Sequence, residues 1–289
     1  MAKIKTQFIG SICIVSGVSC ILSLLGLTTN NWLDATAVFT ERLQSRVNYG
    51  LFSGTLLRQQ LAATLQFNLA IVCNFKEGVC MYSCQREQLQ RERELNKILN
   101  GTFGLEPCEQ AISKRLYSEN KNNNIYQNNV TFSVSKRNTD MRSHFIPVGF
   151  WISTLIFTVL TNVFTLSSFV FALINFYTNP IEQIYNIFGL YIWNGSAIVF
   201  SLLTLSTWSA LFNVYLKNNI SITDTMRLEL TFSSENHANL NYSFYILLAV
   251  FSLNVINIIL LNVSRYLMQK ACHISTINLE QTDAPLQFY

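Results

Sequence analysis

Four long apolar segments, none of which contains a charged residue or a histidine, decide what this chain can fold into. They are Phe8–Leu27, Val148–Tyr177, Ile187–Val214 and Tyr242–Val263. A helix needs about 20 apolar residues to cross a bilayer, and each segment is long enough. Half of the 289 residues are hydrophobic and only 12% are charged, as in membrane proteins. The sequence therefore predicts a mainly α membrane protein, a four-transmembrane-helix bundle with a large extracellular first loop.

The charges outside these segments predict which side each connection faces. Two lysines precede the first segment, and Arg265 and Lys270 follow the fourth. Basic residues beside a span favour the cytoplasm, so both termini are predicted to be cytoplasmic. The short link between the second and third segments, residues 178–186, is then on the same side. The first loop holds fourteen Lys and Arg against ten Asp and Glu, but loops longer than about 60 residues cross the membrane regardless of charge. The predicted cytoplasmic segments are 1–7, 178–186 and 264–289, and the predicted extracellular loops are 28–147 and 215–241.

The first loop has secondary-structure signals of its own, so we expect it to fold rather than to act as a linker. Alternating or β-branched runs predict strands at Ala35–Phe39, Tyr49–Arg58, Thr64–Phe75 and Val130–Ser135. Between the third and fourth strands, Gln85–Asn100 predicts a helix, with Glu87 placed to pair with Arg91 four residues later. The loop is thus predicted to contain a small β-sheet and a helical insert.

Four cysteines fall in the first loop: Cys73, Cys80, Cys84 and Cys108. An even number on an oxidising face predicts two disulfides, with three possible connectivities. A turn at Asn74–Val79 would set Cys73 opposite Cys80 and leave Cys84 for Cys108. A zinc site is the alternative, but gaps of six, three and twenty-three residues fit no common zinc motif.

Three sequons lie in segments already predicted to be extracellular. They begin at Asn100, Asn129 and Asn219. Glycosylation of Asn-x-Ser/Thr takes place on the luminal or outer side, so the sequons predict a glycoprotein and agree with the predicted topology.

Small and polar residues recur at helical spacing within the apolar segments. They are Ser16, Ser19, Ser23 and Gly26 in the first segment, Thr154, Thr158, Thr161, Thr165 and Ser168 in the second, Asn194, Ala197, Ser201 and Thr204 in the third, and Asn254 and Asn257 in the fourth. Small residues let helices approach closely, and hydroxyl groups bond across helices or to their own backbone. We expect these faces to meet inside one bundle. A pore lining is the alternative, which the absence of an intramembrane charge or filter-like repeat disfavours.

A tryptophan just beyond the first apolar segment marks the start of the first loop. Trp32 suits the membrane interface, where its amphipathic ring is stable. The block Tyr49-Gly50-Leu51-Phe52 follows, and a glycine after an aromatic residue predicts close approach of another backbone or ring. An interfacial anchor followed by an ordinary turn is the alternative.

Several short stretches together resemble the clarin family. They are Trp32, Tyr49-Gly50-Leu51-Phe52 with Arg58-Gln59 after it, Asn179-Pro180-Ile181-Glu182, and Gly189-Leu190-Tyr191. Clarins are four-span proteins distantly similar to claudins. The resemblance covers the spans and the start of the first loop, but not an insert at about Val72–Asn138. It implies a claudin-like β-sheet, anchored to the top of the helix bundle by Trp32 and the Gly50-Leu51-Phe52 block.

The chain departs from the clarin pattern in two places. Clarins have cysteines where this chain has Phe39 and Gln60, so one bridge is expected to be absent and its loss to be compensated by packing or by the cysteines of the insert. The clarin tail ends in a hydrophobic residue, any residue and tyrosine; this chain keeps Tyr289 but has Gln287 two residues earlier. This departure disfavours strand addition of the tail to a PDZ groove.

The resemblance implies a multi-pass plasma-membrane organiser in sensory-type cells that maintains actin-based projections or synapses. Its partners would be the bilayer, other membrane proteins or a second copy, and a cytoskeleton-linked scaffold. A claudin-like junction or barrier protein and an auxiliary subunit of an ion channel are the alternatives. The sequence has no nucleophile elbow, Gly-rich phosphate loop or metal-ligand spacing. We therefore predict no enzymatic activity, no cofactor, no metal and no nucleic-acid partner.

Overall fold

The computed structural model describes residues 2–40, 43–60, 63–100, 145–178, 187–217, 234 and 236–282. Its α-helices are α1 (Ala2–Thr28), α2 (Gln88–Leu99), α3 (Val148–Tyr177), α4 (Ile187–Leu211) and α5 (Tyr242–Thr282). All except α2 are long and apolar enough to cross a membrane, and a π-helical turn, Phe212–Leu216, extends α4. The four predicted spans lie within these helices and this turn. The last helix continues past Val263, where the predicted span ends.

The chain divides into two compact units. The first, here called the bundle, takes its residues from 1–25, 157–203 and 246–289, and it contains segments of the four long helices. The second, here called the sheet module, takes its residues from 26–156 and 204–245 and contains a β-sheet, α2 and the adjoining helix ends. A cluster with one buried residue from each long helix lies in the core of the bundle: Ile12, Ala172, Leu190 and Leu261.

The described strands form one seven-stranded antiparallel sheet in the order β6-β5-β4-β3-β2-β1-β7. They are β1 (Leu33–Thr40), β2 (Leu43–Tyr49), β3 (Ser53–Gln60), β4 (Ala63–Asn74), β5 (Val79–Ser83), β6 (Ile146–Pro147) and β7 (Ala238–Leu240). The two edge strands come from distant parts of the chain. β6 runs directly into α3, and β7 lies one residue before α5, so both sheet edges adjoin long apolar helices.

One end of one face of the sheet is covered by α2. In β4, Phe67 and Leu69 are buried while Gln66 and Asn68 are exposed, which is the alternation expected of a sheet with one solvated face. Further along the face of Gln66 and Asn68, Val72 of β4 and Met81 of β5 form a core with Leu95 and Ile98 of α2. The helix therefore packs on the sheet through Leu95 and Ile98.

The structure corrects two predictions for the first loop. Tyr49–Arg58 is not one strand, because a turn at Gly50–Phe52 separates β2 from β3; the amide of Gly50 donates to Ser53 O at 2.8 Å. The missed strand β2 precedes that turn. Arg91 does not pair with Glu87 through its side chain but donates from Nη1 to the carbonyl oxygens of Gln85 and Arg86.

Several predicted features lie outside the described residues. They are the strand Val130–Ser135, Cys108, the sequons at Asn129 and Asn219, the Asn179–Glu182 stretch and the tail Leu286–Tyr289.

Candidate functional site

Trp32 lies at the point where the first loop joins the helix ends of the sheet module. Its side chain is fully buried, and Nε1 donates to Gly26 O of α1 at 2.9 Å. Its ring meets that of Trp208 in α4 edge to face, with centroids 5.0 Å apart. The carbonyl oxygen of Trp32 accepts a hydrogen bond from the amide of Asn241, just before α5, and the amide of Trp32 donates to Tyr49 O of β2. Trp32 thus contacts α1, α4, the residue that precedes α5, and strand β2.

Gly50 packs directly against the connection between α1 and β1. A Cβ at this position would lie 2.5 Å from Asn30 Cα and 2.7 Å from Thr29 O. Both contacts are with backbone atoms, which cannot move aside as a flexible side chain can. The predicted close approach of a second backbone is therefore present, and only glycine fits at this position without a shift of the chain.

A stacked pair of tyrosines supports the same turn from within the sheet. The rings of Tyr49 and Tyr82 are nearly parallel, with centroids 4.0 Å apart, and Tyr82 Oη donates to Gly50 O at 2.6 Å. Burial raises the pKa of both phenols, and for Tyr49 the neighbouring Tyr82 raises it further. The raised pKa keeps Tyr82 Oη protonated, as its bond to the Gly50 carbonyl requires.

The two residues after Gly50 have opposite environments. Leu51 is fully buried, and its carbonyl accepts from Trp151 Nε1 of α3 at 2.8 Å. Phe52 is 46% exposed, so its predicted role as a buried anchor beside Trp32 is wrong. In a tight turn, neighbouring side chains diverge, and here only one of them points into the core. The guanidinium of Arg58, a residue of the stretches compared with clarins, lies over the ring of Phe67 at 5.4 Å from its centroid.

These contacts join the sheet to three helix ends, and we call the group the anchor. It consists of Trp32, Tyr49, Gly50, Leu51, Tyr82, Trp151 and Trp208. Sequence reasoning found the first four but missed Tyr82, Trp151 and Trp208. The position of Trp151 and Trp208 near span ends was an available signal, because tryptophan concentrates at membrane interfaces.

The described cysteines of the sheet module, Cys73, Cys80 and Cys84, form disulfides. Cys73 and Cys80 are opposed in β4 and β5 and are bonded to each other, as the sequence predicted. Cys84 is also disulfide-bonded. In the described part of the bundle, Cys13 and Cys20 are free thiols. Oxidised cysteines in the loop are consistent with an extracytoplasmic module.

A buried set of polar side chains joins all four long helices of the bundle, and we call it the central polar layer. Asn257 Nδ2 in α5 donates to Ser16 Oγ in α1 and to Asn194 Oδ1 in α4, each at 3.0 Å. Ser16 Oγ lies 3.3 Å from Ser168 Oγ in α3. All four residues are at most 1% exposed. Such interhelical hydrogen bonds contribute roughly 0.6–2 kcal/mol each within a membrane.

Two further contacts extend this polar interior. Asn254 Nδ2 donates to Ser19 Oγ at 3.0 Å, and Ser23 Oγ donates to Asn162 Oδ1 at 2.9 Å and lies 3.2 Å from Thr165 Oγ1. The hydroxyl of Thr165 also donates to its own helix at Thr161 O. Both interpretations of the hydroxyl stripes therefore hold, since the same residues bond across helices and to their own backbone.

The other predicted packing residues share this burial. Thr154, Thr158 and Thr161 are fully buried, as are Ala197, Ser201 and Thr204 in α4, and Gly26 is buried in α1. Thr154 Oγ1 donates to Thr207 Oγ1 at 3.1 Å within the sheet module. Polar groups that bond to one another across helices serve as packing contacts, which disfavours a pore lining.

The described residues contain no group of three His, Cys, Asp or Glu side chains placed to hold a metal ion. The sequon residue Asn100 is exposed just after α2. No protein-family model matches this chain, and no curated protein matches it. The resemblance to clarins stays a prediction.

Proposed function

We propose that this chain is a non-enzymatic, clarin-like organiser or adaptor of the plasma membrane, which maintains actin-based projections or synapses in sensory-type cells. It acts by presenting a folded outer module that is joined to the ends of membrane-spanning helices, and by contacting neighbouring membrane proteins. The anchor is the observation that supports this proposal best. Trp32 and Leu51 hydrogen-bond to residues of α1 and α3, and Gly50 packs against the connection after α1, so the loop is a folded part of the protein rather than a free linker.

The burial of the polar faces limits which surfaces are available for lateral contacts. Ser16, Ser19 and Ser23 of α1 and the threonines of α3 are buried inside one chain, so they are not free to bind a partner helix. Association with other proteins would use the apolar outer surfaces of the helices and the exposed face of the sheet. That face includes Gln66 and Asn68 of β4, which point away from the buried Phe67 and Leu69.

A glycan placed on that face tests the proposal. Ala70→Ser creates a sequon at the exposed Asn68, and the glycan would block contacts with the face without altering the core. The double variant Asn68→Gln/Ala70→Ser has the same serine and no glycan, and it is the matched control. Each form is returned to native cells from which the chain has been removed, and its neighbours are identified by proximity labelling.

We expect the wild-type chain and the control to restore projections or synapses and to label the same neighbours. The glycosylated form should reach the surface but lose both properties. Full rescue by the glycosylated form would refute a role for this face, and the absence of a mobility shift would refute an outer module. Freeze-fracture strands in transfected cells would instead favour a junction protein, and a changed current with a co-expressed channel would favour an auxiliary subunit.

A further inference from the structure

A groove of about 620 Å³ lies between β4 and α2 in the sheet module. Its lining includes Ile71, Phe75, Lys76, Arg91 and Trp151. Pockets that hold small ligands have volumes of about 300–1,000 Å³ and combine apolar walls with a few polar groups. The groove has the size and the mixed lining of a ligand site.

The charged groups of the groove leave one positive charge in excess. Lys76 and Arg91 line it together with one carboxylate, Glu92, which accepts a hydrogen bond from Gln88 Nε2. Within the described ranges, neither Lys76 nor Arg91 forms a salt bridge. A ligand with a negative group would therefore meet cations that are not already neutralised by a carboxylate.

The groove borders the first turn of a candidate membrane span. Trp151 belongs to α3, whose span begins at Val148, and the amide of Val148 donates to Gly78 O of the β4–β5 turn. Phe75, at the start of that turn, is 69% exposed. An exposed aromatic ring followed by a lysine, beside an interfacial tryptophan, matches the head-group level of a bilayer. The disulfide between Cys73 and Cys80 fixes the hairpin that presents both residues.

We propose that this groove binds the phosphate-bearing head group of a phospholipid from the leaflet that adjoins the Val148 end of α3. Lys76 and Arg91 attract the phosphate, and the glycerol and upper acyl chain lie against Phe75, Ile71 and Trp151. A lipid fits better than a soluble phosphate ester because half of the lining is apolar and the groove adjoins a span. The groove lies further along the sheet face that carries Asn68, but lipid binding is measured independently of cellular rescue, so either proposal can fail alone.

The experiment measures binding of phosphatidylglycerol, labelled at the tail with a fluorophore, to the full chain in nonionic detergent. Lys76→Gln removes the exposed cation of the groove. Arg93→Gln removes an exposed cation of α2 that does not line the groove, and it is the matched control. One basic side chain near a membrane surface is equivalent to about a fivefold change in affinity. We expect Lys76→Gln to weaken binding about fivefold, and Arg93→Gln to leave it unchanged.

Three competitors identify the part of the lipid that is recognised. Unlabelled phosphatidylglycerol should displace the probe, while diacylglycerol, which has no phosphate, and glycerol phosphate, which has no acyl chain, should do so poorly. Equal weakening by Lys76→Gln and Arg93→Gln would overturn the site in favour of non-specific attraction. Displacement by diacylglycerol would overturn phosphate recognition, and displacement by glycerol phosphate would replace the lipid with a soluble ligand.

Discussion

Replacing Trp32 should destabilise the chain more than any other change in the first-loop block, and replacing Phe52 should barely matter. Truncating a fully buried tryptophan to alanine costs about 3–5 kcal/mol, because apolar contact is lost and a cavity remains. The structure gives Trp32 no exposed surface, an aromatic partner and a hydrogen bond to Gly26 O. A domain has about 5–15 kcal/mol of stability in total, so Trp32→Ala removes a large share.

The expected change in melting temperature follows from that energy. In a chain of this size, each kcal/mol of lost stability lowers the melting temperature by about 2–4 °C. A loss of about 3–5 kcal/mol in Trp32→Ala should therefore lower it by about 6–20 °C. Trp32→Phe keeps most of the ring volume but leaves Gly26 O without its donor, so it should cost about 1–3 kcal/mol. Phe52→Ala, at a residue that is 46% exposed, should stay within about 0.5 kcal/mol of wild type.

The measurement is thermal unfolding in detergent, followed by the loss of the monodisperse peak in size-exclusion chromatography. Surface staining of intact cells supplies the cellular counterpart, since a chain destabilised to this degree is retained in the endoplasmic reticulum. Equal melting temperatures for Trp32→Ala and Phe52→Ala would refute the reasoning. So would normal surface staining of Trp32→Ala with unchanged partners, because the anchor would then not hold the module in place.

Four further predictions concern other parts of the chain. Gly50→Ala places a Cβ 2.5 Å from Asn30 Cα and should lower the free energy of unfolding by at least about 1–3 kcal/mol. Gly149→Ala meets nothing within 4 Å and should be neutral or slightly stabilising. Equal losses of stability in the two variants would contradict this prediction. Cys73→Ser opens a bridge with a sequence separation of 7 and should cost about 2–3 kcal/mol; alkylation of Cys73 in the unreduced folded chain would show that the bridge is absent. Asn257→Leu leaves the central polar layer without its shared donor and should lower stability by about 1–3 kcal/mol in a detergent unfolding assay, so an unchanged melting curve would argue against the layer. Glycosidase should increase gel mobility, and removing the predicted sequons should abolish that shift, while a carboxyl-terminal tag that stains on intact cells would reverse the predicted orientation.

The membrane-spanning part of the fold could be predicted from the sequence because one physical requirement dominates it. A bilayer demands about 20 apolar residues in a row, and Val148–Tyr177 met that requirement over the length of α3. The polar stripes could also be predicted, since residues on one buried face of a helix recur every three or four positions. The hydrogen bonds of Asn257 with both Ser16 and Asn194 could not be predicted, because helical spacing identifies the buried face of one helix but not which face of another helix packs against it.

The sheet was harder to predict because its boundaries depend on contacts remote in sequence. Tyr49–Arg58 has the composition of a single strand, and the turn within it exists because Gly50 approaches Asn30 and because Tyr82 donates to its carbonyl. The edge strands β6 and β7 have two and three residues, too few for any periodicity to be seen. Trp151 and Trp208 were assigned only to spans, since nothing in their own segments indicates the partners they meet.

The two edge strands of the sheet can pair only after distant parts of the chain have been synthesised. Strands β1 to β5 leave the ribosome first, but β6 adjoins the start of α3 and β7 pairs with Leu33–Ala35 only after residues 238–240 have been synthesised. Until then β1 has an unpaired edge, which is a site for association with other chains. Contacts so distant in sequence also form slowly. A nascent chain that stalls before its last helix therefore exposes a sheet edge that the finished chain covers, and that edge offers quality-control factors a signal of incomplete synthesis.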